Sequence, residues 1–236
     1  MAADRCVWFG LEEGFRAYAF IGEPGVGKTT AALHMVAYDL WRRGVVEDYR
    51  EALREAVKRL CATSAEDLFM LIMELAEAPA DWLIIDEATL RDVVRRRVWA
   101  SLVKIISLSR GTVATRGVVL TAPSLPRLRL LVTVYRVERA KLHYTTAYAP
   151  GGCRLVKTPQ PQEAVAVFEV SKEPEELHHN RWTEETRRER RRLAGLIPLS
   201  PEFAMPPEVE EIIIRKRRAY MDVEEAARSL KKKVKQ

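Results

Sequence analysis

The sequence has few of the features that mark secreted, zinc-binding or membrane-spanning proteins. Its 236 residues include three cysteines, Cys6, Cys61 and Cys153, which are too few and too widely spaced for a disulfide framework. No apolar run approaches the roughly 18–20 residues that cross a bilayer, and the first residues lack the pattern of a signal peptide. No Cys or His pair has zinc spacing, and no repeat period is present. We therefore expect a globular cytoplasmic protein without a membrane segment.

The chain carries 39 basic and 33 acidic residues, and most of the basic excess lies near its C-terminus. Residues 181–236 hold 15 Lys and Arg against 10 Asp and Glu, with the basic residues clustered at 187–192, 215–218 and 231–235. Clustered Lys and Arg are typical of surfaces that contact nucleic-acid phosphates, so we expect this region to bind DNA. The alternative is a solvated helix face, because glutamates interleave with the first arginine cluster.

A glycine-rich loop follows the first apolar segment. Residues 17–21 form a short apolar run typical of a buried strand, and residues 31–40 have the apolar spacing of a helix. Between them stands a complete G-x-x-x-x-G-K-[ST] motif with one further threonine: Gly22, Glu23, Pro24, Gly25, Val26, Gly27, Lys28, Thr29 and Thr30. Strand, loop and helix in this order predict a phosphate-binding P-loop. The alternative is a chance glycine turn.

The residue types of this motif suit a nucleoside triphosphate and Mg²⁺. Gly25 and Gly27 can adopt backbone angles that turn successive N–H groups onto phosphate oxygens, and the start of a helix attracts the same anion. Lys28 is predicted to reach the β- and γ-phosphates, and the Thr29 hydroxyl to hold Mg²⁺. We therefore expect the chain to bind ATP and Mg²⁺.

Two acidic residues follow the next strongly apolar segment. Residues 82–85 read as a central parallel strand covered on both faces. Asp86 stands at its carboxyl end, the edge at which ligands bind in open α/β sheets, and is predicted to support the Mg²⁺ held by Thr29. Glu87 is predicted to orient and deprotonate the attacking water. Alternatively, the pair begins the next helix as its cap and first-turn acid, and both roles are compatible.

A third strand is predicted over 117–121, where Pro123 ends it. Thr121 is thereby expected beside the γ-phosphate, to sense phosphate or position water, unless it only closes the strand. Helices such as the one predicted over 48–57 alternate with these buried strands. This alternation predicts an α/β fold with a mainly parallel central sheet and right-handed crossovers. Together with the G-x-x-x-x-G-K-[ST] motif, it leads us to expect a three-layer α/β/α fold of the P-loop NTPase type.

The three motifs, Gly22–Thr29, Asp86-Glu87 and Thr121, resemble those of the ASCE division of P-loop ATPases, which includes the AAA+, RecA-like and FtsK–HerA families. Segments 117–124, 134–137 and 206–220 look like parts of the small DnaA-like ATPases of crenarchaeal viruses and plasmids. The resemblance implies a homo-oligomeric ATPase that acts on DNA in replication or packaging. The charge-rich composition also suits a thermophile. Neither the arginine finger nor the second sensor arginine of such ATPases can be assigned from the sequence.

The remainder of the chain divides into a β-rich part and a basic part. Runs over 132–148, 154–157 and 164–170, with a turn at 150–152, predict a hairpin that joins the edge of the sheet antiparallel. We expect residues 1–175 to form the ATPase domain. Residues 176–236 are predicted to be a basic helical extension that contacts DNA or a protein partner, with one helix starting at Pro206-Pro207.

The sequence therefore predicts a Mg²⁺-dependent ATPase that acts on DNA, as a replication initiator or helicase loader or as a packaging or translocation ATPase. Two alternatives remain open, a nucleotide or small-metabolite kinase and a slow ATP-gated adaptor that binds DNA. DNA-stimulated ATPase activity favours the first. Phosphoryl transfer to a metabolite favours the kinase, and salt-sensitive DNA binding with negligible turnover favours the adaptor.

Overall fold

The structure is a computed structural model, which describes residues 16–61, 80–86, 114–123, 132–149, 152–170, 191–198 and 204–218. The helices and strands of these residues are, in chain order, β1 (Arg16–Ile21), α1 (Lys28–Arg42), α2 (Tyr49–Lys58), β2 (Leu60–Cys61), β3 (Ala80–Ile85), β4 (Ala114–Ala122), β5 (Val132–Ala149), β6 (Gly152–Val170), β7 (Arg191–Pro198) and α3 (residues 207–218). The predicted α/β class is confirmed.

The strands form one mixed sheet in the order β2-β3-β4-β1-β5-β6-β7. The first five of these strands are parallel to one another, whereas β6 pairs antiparallel with β5 and β7 pairs antiparallel with β6. A mainly parallel sheet with an antiparallel edge is therefore confirmed. The prediction that every strand after residue 130 joins antiparallel is wrong for β5, which runs parallel to β1 from Ala17↔Val132 to Ile21↔Arg136. The β-forming composition of β5 indicates a strand but does not determine its direction. The direction depends on the end of the sheet from which the chain enters the strand.

The central strands are buried because their residues are apolar on both faces, as a covered parallel sheet requires. At Gly117, β4 approaches its neighbours so closely that there is no room for a side chain. A Cβ at this position would meet the Arg16 carbonyl oxygen of β1 and would lie 2.9 Å from the ring of Trp82 in β3. A residue without a side chain is therefore required where the three strands meet.

Replacing Gly117 with alanine is expected to lower the free energy of unfolding by about 1–3 kcal/mol, because an overpacked site forces backbone shifts. Denaturant unfolding of the two proteins measures the difference. Equal midpoints and slopes would show that β4 can move away from β1 without cost, and would contradict this account of the sheet.

The helices α1 and α2 cover the sheet with a continuous apolar surface. α2 begins where the sequence predicts, because the Asp48 carboxylate accepts a hydrogen bond of 3.1 Å from the Glu51 N–H. Leu33 and Leu40 of α1 are buried in the same cluster as Leu53 of α2 and Ile84 of β3. This cluster holds the start of α1 against the sheet, and the glycine loop is attached to that start.

A buried carboxylate fastens α1 to the sheet at the end away from the glycine loop. Asp39 of α1 is 2% exposed. It accepts hydrogen bonds from Trp82 Nε1 at 2.7 Å, Arg43 Nε at 2.8 Å and Arg116 Nη2 at 2.9 Å. Because a buried charge is costly without partners, these three donors are what makes an aspartate tolerable here.

Asp81 extends the same network toward α2. Burial raises the pKa of the Asp81 carboxyl, but this is outweighed by hydrogen bonding to Arg59, the charge of Arg59, the Trp82 N–H and Arg43, so its pKa lies below the ordinary 3.8. Arg59 Nε lies 2.5 Å and Arg43 Nη2 lies 3.2 Å from the carboxylate. Since the folded-state pKa is depressed, this stabilisation is present above the unfolded pKa and is lost as the pH falls through the folded value.

The C-terminal part contains both a strand and a helix. The prediction of a wholly helical extension is wrong over β7, which pairs antiparallel with β6 from Ala164↔Pro198 to Val170↔Arg191. The predicted helix start at Pro206-Pro207 is confirmed by α3, whose Val209 is buried in the same apolar cluster as residues of α1 and α2. The predicted domain boundary at 175 lies outside the described residues. Among the helices that the structure describes, none combines the length and apolarity needed to cross a membrane.

Candidate functional site

The glycine loop (residues 22–29), Asp86 and Thr121 meet at one edge of the sheet. The loop follows β1, Asp86 follows β3, and Thr121 lies near the end of β4, the strand between them. The registers Phe20↔Thr121 and Ile85↔Leu120 bring the three strand ends to the same level. Because these strands are parallel, this is their common carboxyl edge, where ligands bind in open α/β sheets.

The shape of the glycine loop depends on two of its glycines. Gly27 has φ 102° and immediately precedes α1, a left-handed conformation that strains residues with a side chain. Its missing Cβ would lie 2.8 Å from a methyl group of Val165 in β6, and that of Gly22 would lie 2.6 Å from the Val137 carbonyl oxygen in β5. The loop is therefore shaped by its own backbone and confined by the two strands beside it.

Lys28 is the first residue of α1, and its side chain folds back over the loop. The ammonium group donates to the Gly22 carbonyl at 2.9 Å and to the Glu23 carbonyl at 2.8 Å. Both acceptors are backbone oxygens of the loop, so the positive charge lies at the loop opening. α1 begins here without a side-chain cap, and the first N–H groups of a helix have no acceptor within it.

The carboxylate of Asp86 connects the loop to the central strand. Asp86 is 4% exposed, and its Oδ1 accepts hydrogen bonds from two threonine hydroxyls. These are Thr29 Oγ1 at 2.7 Å and Thr121 Oγ1 at 2.6 Å. Both threonines are buried, so the three oxygens form a compact, oriented group of hard ligands at the sheet edge. Thr121 contacts Asp86, which gives it a positioning contact in addition to its place at the strand end.

An arginine that the sequence analysis does not assign completes the site. Arg217 of α3 donates from Nε and Nη2 to Asp86 Oδ2, at 3.1 and 3.0 Å. Its Nη2 also donates to Thr29 Oγ1 at 2.7 Å. The sequence pattern predicts only that Arg217 belongs to a basic surface cluster at 215–218. The spacing along α3 could have identified Arg217 as an inward-facing residue. Arg217 follows Ile213 by four residues and Val209 by eight, and these two apolar residues belong to the face of α3 that packs inward.

The structure brings together Lys28, Thr29, Asp86 and Thr121, four of the side chains that the sequence predicts to act. Of the other predicted residues, Glu23, Pro24 and Gly25 of the loop are exposed, Gly22, Val26 and Gly27 are partly buried, and Thr30 lies partly buried in α1. Glu87 lies outside the described residues. From β5, Arg139 approaches the Gly25 carbonyl at 3.5 Å.

The donor set fits a polyphosphate with a hard divalent cation. The start of α1 and the Lys28 ammonium are suited to phosphate oxygens. Mg²⁺ is commonly bound by one or two protein oxygens together with substrate phosphates and water, and Thr29 and Asp86 offer such oxygens. The Arg217 guanidinium already holds a positive charge against these two residues, so the position accepts a cation.

No model of a known protein family matches this chain, and no curated protein matches it either. The chemistry of the site is therefore inferred from its own residues and their geometry.

Proposed function

We propose that this chain is a Mg²⁺-dependent ATPase of the P-loop class, with a three-layer α/β/α core, and that it acts on DNA. The observation that carries the proposal is the hydrogen bond of 2.7 Å between Thr29 and Asp86. It joins the threonine of a G-x-x-x-x-G-K-T loop to a carboxylate at the end of a neighbouring parallel strand, 57 positions away in the chain. A glycine turn without function has no need of that buried pair.

In the proposed reaction each of these residues has a separate task. Lys28 leaves its loop carbonyls for the β- and γ-phosphate oxygens, and Thr29 and Asp86 orient the metal side of the site. A bound Mg²⁺ supplies charge neutralisation of the phosphates. Glu87 takes a proton from the attacking water. Thr121 holds Asp86 in position through Oδ1, so that its orientation does not depend on the nucleotide.

Two basic regions support DNA as the partner. The first is segment 219–236, which we call the tail and which contains the lysines at 231–235. The second is the β5–β6 ribbon, which we define as residues 139–162. Among the described strands, these residues pair only within the β5–β6 hairpin, and the ribbon sequence contains Arg139, Lys141, Arg154 and Lys157 but no acidic residue. A basic segment of this kind suits a phosphate backbone.

Neutralising the tail should weaken DNA binding and flatten its salt dependence. Replacing Lys231, Lys232, Lys233 and Lys235 together with glutamine removes four charges from the full-length chain. The log–log salt slope is expected to fall by about one for each lost phosphate contact, up to about four. The matched control is the same four positions changed to arginine, which keeps the charge. An unchanged slope in the glutamine variant would remove the tail from the DNA interface.

The proposed activity is tested by measuring phosphate release from Mg-ATP with no DNA, with single-stranded DNA and with duplex DNA. Mass measurement in ATP determines whether the protein assembles into oligomers. DNA-stimulated release supports the proposal. Release that requires a nucleotide or metabolite acceptor, with the phosphate recovered on that acceptor, identifies a kinase instead. DNA binding without turnover identifies an adaptor, and absence of ATP binding contradicts the proposed site.

A further inference from the structure

The guanidinium of Arg217 occupies the same oxygens that the proposed function gives to Mg²⁺. Its Nη2 bridges Thr29 Oγ1 and Asp86 Oδ2, at 2.7 and 3.0 Å. The Thr29 hydroxyl donates its proton to Asp86 Oδ1, and its oxygen accepts from Arg217. A divalent ion that takes the lone pair of Thr29 Oγ1 now bonded to Arg217 displaces the guanidinium from that oxygen, and the repulsion between the two positive charges beside Asp86 favours its departure.

We infer that Arg217 is an internal cation that exchanges with Mg²⁺, so that binding of metal and nucleotide releases the Arg217 side chain from the site. This inference rests on the proposed function, because it takes the Thr29–Asp86 pair as the metal side of a nucleotide site. The chemistry is the replacement of one positive group by another on an aspartate. No covalent bond is made or broken.

The burial of Asp86 explains why a cation is needed there when the metal is absent. Asp86 is 4% exposed, and a buried charge is costly unless an opposite charge accompanies it. Both threonine hydroxyls bond to Oδ1, which leaves Oδ2 to the two Arg217 donors. Arg217 therefore compensates the aspartate in the metal-free protein and loses that role when the metal arrives.

The surroundings of α3 make Arg217 the movable part of the helix. Toward its start, α3 is anchored by buried Val209 and by the pair of Arg54 and Glu208, 2.6 Å apart. Lys216 donates to the carbonyls of Val57 and Leu60. The Arg217 side chain, by contrast, is 48% exposed and has solvent into which it can turn. Its displacement therefore does not require α3 to leave the core.

The exchange links the nucleotide site to the basic tail along the sequence, because Arg217 lies in the last described turn of α3 and the lysines at 231–235 follow it in the chain. In the metal-free protein the guanidinium ties this end of α3 to the loop and to β3. With metal and nucleotide bound, that tie is released. Metal-nucleotide binding thus frees a charged group that lies two residues before the tail.

The decisive measurement is the Mg²⁺ concentration that half-saturates ADP binding, determined by calorimetry on the full-length protein. Arg217→Gln should lower it about tenfold, because Mg²⁺ no longer displaces a charged hydrogen-bonding group from Asp86. Arg218→Gln is the matched control, since it removes the same charge one residue further along α3 and should leave the value close to that of the natural protein. Arg217→Lys keeps the charge without the two-pronged contact and should give an intermediate value.

A second readout uses the metal alone, with Mn²⁺ followed by electron paramagnetic resonance in the absence of nucleotide. Arg217→Gln should bind Mn²⁺ more tightly than both the natural protein and Arg218→Gln. When Asp86→Asn is combined with Arg217→Gln, this gain in Mn²⁺ affinity should disappear. The metal-free Arg217→Gln protein should also melt at a lower temperature, with the loss recovered in saturating Mg-ADP.

The possible failures are distinguishable. If the natural protein binds ADP but Arg217→Gln and Arg218→Gln have the same Mg²⁺ and Mn²⁺ dependence, Arg217 does not compete with the metal and the inference is wrong. If the natural protein binds no ADP at any Mg²⁺ concentration, the proposed function itself fails.

Discussion

Replacing Lys28 with alanine is expected to weaken ATP binding about 10²- to 10⁴-fold. In the proposed complex the ammonium group makes charged hydrogen bonds to two phosphate groups, each worth about 1.5–3 kcal/mol. The carbonyls of Gly22 and Glu23, which accept from it at the loop opening, are neutral, so a phosphate competes with them favourably. Equilibrium binding of ATP, measured with Mg²⁺ in excess, gives the change directly.

The matched control is Lys58→Ala, which removes an exposed lysine that pairs with Glu55 on the surface of α2. It should leave ATP affinity unaltered. Thermal unfolding of both variants separates a binding defect from a collapsed loop, because Lys28 also ties the loop carbonyls together. ATP affinity that is the same in the natural protein and in Lys28→Ala would show that the glycine loop does not hold the triphosphate.

The elements that sequence patterns predict well are those in which local composition and burial agree. The strands β1, β3 and β4 are apolar runs bounded by a glycine loop, an acidic pair and Pro123, and all three are buried in the sheet. α2 is equally local, because Asp48 both precedes the helix and caps it. The convergence of Thr29, Asp86 and Thr121 was predictable too, since parallel strands bring their carboxyl ends to one edge.

The strand β7 was not predictable because its first residues repeat the pattern that precedes it. Arg191 and Arg192 continue an arginine- and glutamate-rich stretch, which indicates a solvated helix when it is considered alone. The strand exists through its partner β6, with buried Ile197 opposite Val165. This register is a tertiary contact, and tertiary contacts override local propensity.

Arg217 illustrates the same limit in the site. Its bonds to Asp86 span 131 positions of sequence, and they depend on how α3 docks through Val209. The charge cluster at 215–218 suggests a single DNA-facing surface, but Lys216 and Arg217 are both bonded to the protein itself. Spacing along α3 contained the information needed to separate inward from outward charges, whereas composition did not.

Glu87→Gln is expected to slow ATP turnover about 10²- to 10⁴-fold while leaving ATP bound, which is the effect of removing a general base. The substitution keeps the size and the hydrogen-bonding capacity of the side chain but removes the group that accepts the proton. The position of Glu87 along the chain follows directly from that of Asp86, whose carboxylate accepts hydrogen bonds from Thr29 and Thr121. Consecutive Cα atoms are about 3.8 Å apart, so Glu87 begins within one residue of the proposed metal site.

Single-turnover hydrolysis together with equilibrium ATP binding separates the step that is lost. The control is Glu47→Gln, the same substitution at an exposed position between α1 and α2, and it should hydrolyse ATP at the natural rate. Since a helix cap or first-turn acid contributes to stability and not to proton transfer, a variant at position 87 that unfolds more easily but turns over normally would assign Glu87 to the following helix. The general base would then have to be another residue. A kinase would become the better proposal, because in a kinase the phosphate acceptor occupies the space that the attacking water takes in an ATPase.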